Sequence, residues 1–405
     1  MKPFGKLISF DKALYIAEHN ANPITRTEKV NLDKSLGRVL AEDIIARHNT
    51  PPFNRVAVDG FAVIAADTFN SSRQNPKTLE IVDVLYAGVK PKKEVKVGTS
   101  IQVSTGVKMP KGADSVVMVE DIKYQNNQIK VVKPIYPGAN VALIGEDIKR
   151  GELILKKGQL ITPGNLGVLA SQGMENVMAY EKPKVAIIPT GDEITPVGQK
   201  LEETHIYDIN SHTVSAIVNQ NGGIAIRFAI IGDTQKDLKN AMIKALEADM
   251  VVFTGGSSVG ERDILADFLD KEGEVLFHGI QIKPGKPTLF AVVDCKPFWG
   301  MPGYPTSCLI NAYLLLIPTI RKIARLPIAK KIEVSAKLAE NVSGSIGRKQ
   351  FLPVYIEDDT AIPLFKESGA ITGTAKADGF IVVPENIDMI KEGEVVTVIL
   401  FNDIA

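Results

Sequence analysis

Between Lys182 and about Arg325, nearly unbroken apolar runs alternate with segments whose apolar residues recur at helical spacing. "KVAIIPT" reads as a strand, and "SHTVSAIVNQNGG" as a helix that stops on glycine. "IAIRFAIIGD" reads as a second strand, followed by the helix "TQKDLKNAMIKALEAD" with Thr234 at its cap. Next come the strand "MVVFT", the helix "RDILADFLDKEG", the strand "EVLFHGIQI" and a long helix after "PGYPTS". Strands that are apolar at every position must be buried on both faces, so the pattern predicts a doubly wound α/β domain with a parallel sheet.

Elsewhere the pattern changes. Residues 50–143 hold short β-prone pieces ("TLEIVDVL", "TSIQVST", "SVVMVED", "QIKVVKP") broken by Gly, Pro and Asn, which predicts a mostly β domain. "LDKSLGRVLAEDI" reads as one helix in a linker region, and "GEDIKRGELILKKGQLITPGNLGVLASQG" returns to pack beside it as a discontinuous domain. Past Lys330, "KIEVSAKLAENV", "QFLPVYIE", "GFIVVPE" and "EVVTVILF" predict a small C-terminal β-barrel. The expected boundaries are 23–47 with 144–181 for the linker domain and 48–143 for the β domain. The α/β domain takes 1–22 with 182–327, and the barrel 328–405.

Lys+Arg and Asp+Glu both number 47, a zero balance that argues against a dedicated nucleic-acid binder while leaving room for a small basic pocket. Cys295 and Cys308 lack CxxC spacing, so neither a disulfide framework nor a zinc site is expected, and a reducing cytoplasm is the natural compartment. "MKPFGKLISF" lacks the apolar stretch of a signal peptide. "CLINAYLLLIPTI" is too short to span a bilayer and reads as a buried helix, so no membrane partner is expected. The histidines at 19, 48, 205, 212 and 278 form no ligand pattern and read as structural or surface residues.

Candidate chemistry gathers at the strand ends, where open α/β sheets bind their ligands. These ends carry "TGDE" with Glu193, "GD" with Asp233, "GGSSVGERD" with Gly255, Gly256, Ser257, Ser258 and Asp263, and "IKPGKP" with Lys283 and Lys286. Glycines let backbone approach a ligand, a following helix start offers amide donors to an anion, and carboxylates suit a hard cation such as Mg²⁺. Each piece has a plainer reading: a tight turn for the glycines, a helix cap for Asp233, a solvated turn for the lysines. Taken together they favour a phosphate-bearing small-molecule site, although neither GxxxxGK[ST] nor GxGxxG is present. A second candidate is "PPFNRVAVDGFAV", which presents Asp59 on what alone reads as a hairpin turn, with Thr105 and Glu120 in the nearby "STGVKMPKGADSVVMVED".

"PPFNRVAVDGFAV", "STGVKMPKGADSVVMVED", "GEDIKRGE", "PTGDEI", "YDINS", "GGSSVGERD", "IKPGKP", "GMPGYPTS" and "ESGAITGTAKADGFIVVP" lie in order over nearly the whole chain. In this the sequence resembles the molybdopterin molybdenumtransferase family, represented by MoeA and the E domain of gephyrin. The resemblance implies a four-domain elongated homodimer whose α/β domain is like that of MogA and MoaB. The implied activity takes adenylylated molybdopterin and molybdate as substrates, inserts molybdenum at the dithiolene and releases AMP with the help of Mg²⁺. A molybdopterin adenylyltransferase is the implied upstream partner. Carried over by matching position, Asp59, Thr105, Glu193, Asp233, Asp263, Lys283 and Lys286 are catalytic, with Asp233 and Asp263 toward the metal. Gly255 to Ser258 cradle phosphate, joined by Pro302, Pro305 and Ser307, and the cleft is expected to draw on the β domain of the second subunit. The chain departs from the family at Arg55 to Val58, at Ser257 where valine is frequent, and at Tyr304 where asparagine is common. An adenylyltransferase would need only the α/β domain, a scaffold of the gephyrin kind would carry a long linker or fused domain, and a competence-damage-type amidase would carry a separate hydrolase half.

Overall fold

The computed structural model describes residues 7–255, 264–365, 367 and 369–401. The chain divides into two compact units, one of residues 29–36 and 40–177, the other of 1–28, 37–39 and 178–405.

In the first unit a six-stranded sheet runs in the order 115–118, 60–63, 99–103, 77–85, 128–131 and 122–125. Its two faces bury separate clusters, Ala62, Ile101 and Val116 on one and Phe61, Val117 and Ile129 on the other. The helix Pro163–Ser171 opens with a capping box, Thr162 and Asn165 satisfying each other's backbone. It packs with Leu40, Ile44, Leu155 and Ile161 beside the antiparallel pair Ile44–Ile45 and Leu153–Leu155. The helix expected over "LDKSLGRVLAEDI" does not form. Leu32–Lys34 makes a single 3₁₀ turn, Gly37 then takes φ +73°, and Ile44–Ile45 is extended. A left-handed glycine ends a helix more readily than it continues one.

The second unit is built on a six-stranded sheet. Its elements in chain order are β1 (Lys184–Pro189), α1 (Asn210–Gln220), β2 (Ile224–Arg227), α2 (Gln235–Ala245), β3 (Met250–Thr254), α3 (Ile264–Glu272), β4 (Glu274–His278), β5 (Leu289–Val293), β6 (Lys296–Met301) and α4 (Pro305–Asn311). The strand order is β2-β1-β3-β6-β5-β4. Alternate residues explain the apolar runs. Val185, Ile187 and Val252 face a core shared with α1, α4 and the N-terminal helix Phe10–His19, while Ala186, Ile188, Val251 and Phe253 face α2 and α3. β5 runs antiparallel to both neighbours, so the sheet is mixed and mostly parallel rather than wholly parallel. The β5–β6 hairpin is absent from the sequence-based expectation, and it turns through Asp294 and Cys295, both at positive φ. The long helix after "PGYPTS" is present as α4, a π-turn over Ala312–Leu316 and a further helix Ile317–Ile323. Pro318, which has no N–H to give to the turn before it, stands in the first turn of the helix that follows this π-turn.

The C-terminal strands Glu333–Leu338, Lys349–Glu357, Thr360–Pro363, Gly379–Val383 and Val395–Leu400 close a barrel, because Lys349–Glu357 pairs with both Thr360–Pro363 and Gly379–Val383. The short strand Ile282–Lys283 adds to this sheet at Lys349 and Gln350. No described helix is long and apolar enough to cross a membrane.

Candidate functional site

From β1 the chain crosses to β2 on one side, then back over β1 to β3 on the other. The order reverses between β1 and β3, which is where an open α/β sheet leaves a crevice beyond its strand ends. A cleft of about 520 Å³ opens there, in the size range of a small-molecule site. Thr190 follows β1 and Thr254 ends β3, tied by a bond from the Thr190 amide to the Thr254 carbonyl at 3.1 Å.

Gly255 follows at φ +105°, and a Cβ there would lie 2.4 Å from the Thr190 carbonyl oxygen. Only glycine fits. On the far side β6 ends in Pro302-Gly303-Tyr304-Pro305, and a Cβ on Gly303 would lie 3.8 Å from the Gly255 Cα. Two glycine-bearing turns therefore face each other across bare backbone. Asn210, at the start of α1 and buried, donates from Nδ2 to the Gly303 carbonyl at 2.8 Å and so holds the second turn in place.

Carboxylates crowd the β1 and β2 side. Glu193 folds back over Gly191, whose φ is +143°, and Asp192 approaches Gly232. Thr234 caps α2 by accepting from the Asp237 amide at 3.1 Å, so Asp233 is released from capping. Burial first, and the nearby charges of Asp192 and Glu193 after it, hold the Asp233 carboxyl above the usual range, against the pull of the Thr190 hydroxyl. The chemistry on offer is a backbone cradle for an oxyanion beside a carboxyl whose like-charged neighbours would be relieved by a dication. Among the described residues no three His, Cys, Asp or Glu side chains are placed to hold a metal by themselves. Magnesium needs only one or two protein carboxylates when substrate phosphates complete its shell, and Asp233 fits that requirement.

Of the residues expected at this site, Glu193, Asp233, Gly255, Pro302, Pro305 and Ser307 line the one cleft. Gly256, Ser257, Ser258 and Asp263 lie outside the described residues. Lys283 and Lys286 do not line the cleft, although the next residue, Pro287, does. They follow β4 at the edge of the sheet, not a strand adjoining β3. Lys283 is exposed and Lys286 half-buried. Their loop is closed by backbone bonds from Gly279 to Thr288 at 2.9 Å and from Ile280 to Lys286 at 3.0 Å. Gly285 within it, at φ +98°, is covered by the buried Asn311 of α4.

Asp59 and Thr105 belong to the other unit, where sheet register joins them. Gly60 pairs with Val103, so the residue before one strand meets the turn after its antiparallel neighbour. Thr105 donates to Asp59 Oδ1 from its amide at 2.6 Å and its hydroxyl at 2.9 Å. The backbone donor chiefly, and the hydroxyl next, hold this exposed carboxyl below the usual range. A Cβ on Gly60 would lie 2.0 Å from the Val117 carbonyl oxygen, which explains glycine beside the acid. Glu120 stands exposed in the 3₁₀ turn Val119–Asp121.

Sequence reasoning missed Asn210, Thr254, Ile194 and Ile206 as cleft residues. Asn210 sits inside "YDINS", a stretch the resemblance marks without saying what it does.

Comparison with known proteins covers nearly the whole chain. The family described as the MoeA N-terminal region (domain I and II) matches residues 8–173, a probable molybdopterin binding domain matches 186–322, and the MoeA C-terminal region (domain IV) matches 335–401. A putative molybdopterin biosynthesis protein of Methanocaldococcus jannaschii is 35% identical over 93% of this chain and 92% of its own. The molybdopterin molybdenumtransferase of Haemophilus influenzae is 34% identical over 93% and 95%. Two crystal structures of the molybdopterin biosynthesis MoeA protein of Pyrococcus horikoshii, 40% and 33% identical, each cover 98% of this chain and 100% of their own, with TM-scores of 0.83 and 0.84.

Proposed function

The chain belongs to the MoeA family of molybdopterin molybdenumtransferases, and from that premise we propose that it inserts molybdenum, taken from molybdate, into adenylylated molybdopterin and releases AMP. The observation that carries the reading is the cleft at the switch point, where the Gly255 and Gly303 turns leave room for a phosphoanhydride beside Asp233. Cleaving such a bond asks the protein for alignment and charge stabilisation rather than covalent chemistry.

In this reading Gly255 cradles phosphate, together with Gly256, Ser257 and Ser258, which follow it in the sequence. Pro302, Pro305 and Ser307 shape the opposite wall. Asp233 with Asp263 would hold Mg²⁺, whose charge would offset that of the phosphate oxygens. The charge of Glu193 adds to that of Asp192 in repelling the Asp233 carboxylate, a repulsion that a bound cation would relieve. Lys283 and Lys286 neutralise oxyanion charge on molybdate or phosphate, from a loop anchored by Asn311. Asp59, held charged by Thr105, is assigned to the insertion step. Assembly as a homodimer, and supply of the adenylylated pterin by a molybdopterin adenylyltransferase, belong to the same reading.

The test is incubation of the protein with adenylylated molybdopterin, Mg²⁺ and either molybdate or tungstate, with AMP and the metallated pterin measured by chromatography. Oxyanion-dependent AMP release is the expected result. Formation of adenylylated pterin from ATP would make the protein an adenylyltransferase instead, and tight binding without turnover would leave only a scaffold.

A further inference from the structure

Tyr304 occupies the N-cap of α4, where Asn, Asp, Ser and Thr are favoured because their side chains accept from the helix's first amides. Tyrosine cannot do this, and no side-chain cap bond is formed there. Nor does the ring serve the core: it is 66% exposed, in a turn whose neighbours Thr306 and Ser307 are buried. It does stand beside a neighbouring loop. Ring atoms Cδ1 and Cε1 lie 3.7 and 3.9 Å from where a Cβ on Gly369 would stand, and Thr306 Oγ1 donates to the Ala370 carbonyl at 3.1 Å, tying the first turn of α4 to that loop. Tyr304 lines the cleft together with the apolar Ile194, Ile206, Pro302 and Pro305. A large aromatic surface, with a glycine-bearing loop on one side, exposed to solvent and set among apolar neighbours at a polar cleft, has one economical use.

We propose that Tyr304 is a stacking platform for a planar fused heterocycle, a purine or a pterin, held with its ring on the tyrosine and its phosphate directed toward the Gly255 turn. The inference rests on the functional reading above, whose substrate carries both kinds of ring, and it names the residue that selects for one of them. An aromatic platform is tolerant of hydrogen-bonding pattern, because every such ring has a π-face, so Tyr304 contributes affinity rather than a readout of ring edges. Asparagine at this position would cap the helix and offer no face, so a chain with tyrosine exchanges helix stability for ligand contact.

The test is titration calorimetry of the full-length protein with AMP, with pterin-6-carboxylate and with ribose 5-phosphate, for wild type, Tyr304→Phe, Tyr304→Asn and Tyr304→Ala. Folding of each variant is checked through the emission of Trp299, the sole tryptophan. The expected result is a Kd raised about 10- to 100-fold by Ala and by Asn for one of the two heterocycles and left within about threefold by Phe. Ribose 5-phosphate, which lacks the ring, is expected to bind all four proteins alike. Loss confined to AMP assigns the purine to the platform, and loss confined to the pterin assigns the other ring. Equal affinities in wild type and Tyr304→Ala, or a wild type that binds neither heterocycle, overturn the proposal. Turnover of adenylylated pterin with unchanged affinities in Tyr304→Ala would leave the functional reading intact and remove the platform. Ring-dependent binding without AMP release would do the reverse.

Discussion

Gly285→Ala tests how the Lys283–Lys286 loop is held. The new Cβ would lie 2.4 Å from Asn311 Nδ2 and 2.5 Å from Oδ1, at a backbone φ of +98°. Left-handed strain on alanine costs about 1–2 kcal/mol. Moving the Asn311 amide aside also breaks its bonds to the Gly285 carbonyl, at 3.1 Å, and to Thr288 Oγ1. At about 1 kcal/mol each, these bring the total to about 3–4 kcal/mol. Asn311→Ala loses the same two bonds, about 2 kcal/mol, and removes the obstruction. The double variant then carries the bond loss once plus the strain, about 3–4 kcal/mol, against about 5–6 for simple addition. The predicted coupling is about 2 kcal/mol. Trp299 is fully buried in the core that includes α4's Cys308 and Ile310, so urea unfolding followed by its emission reads this unit alone. Additivity of the two substitutions within about 0.5 kcal/mol would show that Asn311 is not what Gly285 accommodates.

Three further outcomes follow from the electrostatics and the loop. Asp233 has its carboxyl raised above 3.8 in the fold, so its charged form opposes folding at pH above the raised value and is neutral in effect below 3.8. Asp233→Asn is therefore expected to stabilise the Mg²⁺-free protein at pH 7, by no more than about 0.5 kcal/mol after solvent screening, and not at pH 3. Thermal unfolding at the two pH values, with and without Mg²⁺, checks this, and a destabilised variant at pH 7 contradicts it. Asp59 has its carboxyl lowered below 3.8, so it favours the fold above that value and loses this contribution as pH falls. In Thr105→Val the hydroxyl goes and the amide stays, so NMR titration of the Asp59 carboxyl is expected to move up without reaching 3.8. A value at or above 3.8 would make the hydroxyl the main cause. Lys283→Ala removes an exposed side chain and is expected to change stability by less than about 0.5 kcal/mol while lowering AMP release, and full activity would return Lys283 to a solvated turn.

The strands that frame the cleft were legible because they are buried on both faces. Val185, Ala186, Ile187 and Ile188 alternate between two different cores, and Met250 to Phe253 do the same, so no polar residue interrupts either run. The hairpin β5–β6 was not legible. Its turn is Asp294-Cys295 at φ +48° and +60°, a conformation usually announced by Asn-Gly or Asp-Gly. In the fold β6 stands beside β3, and the strand that leads to Lys283 and Lys286 lies at the edge of the sheet. The linker helix was overread for the opposite reason. Leu32, Leu36 and Leu40 recur at helical spacing, but Gly37 at φ +73° cannot be inferred from spacing.

The site divides in the same way. Gly255 and Asp233 were readable because both lie in the segment between a strand and its following helix, Gly255 directly after Thr254 and Asp233 just before the Thr234 cap. Asn210 was not, because its partner Gly303 lies 93 residues away and only the fold brings them within 2.8 Å. That bond depends on the hairpin. β4 ends on the cleft side of the sheet, β5 carries the chain away, and β6 brings it back beside β3. Had "KPFWGM" run in the opposite direction, the Pro-Gly-Tyr-Pro turn would open at the other end of the sheet. The one antiparallel strand in a mostly parallel sheet thus places Gly303 opposite Gly255 and sets Tyr304 at the mouth of the cleft between them.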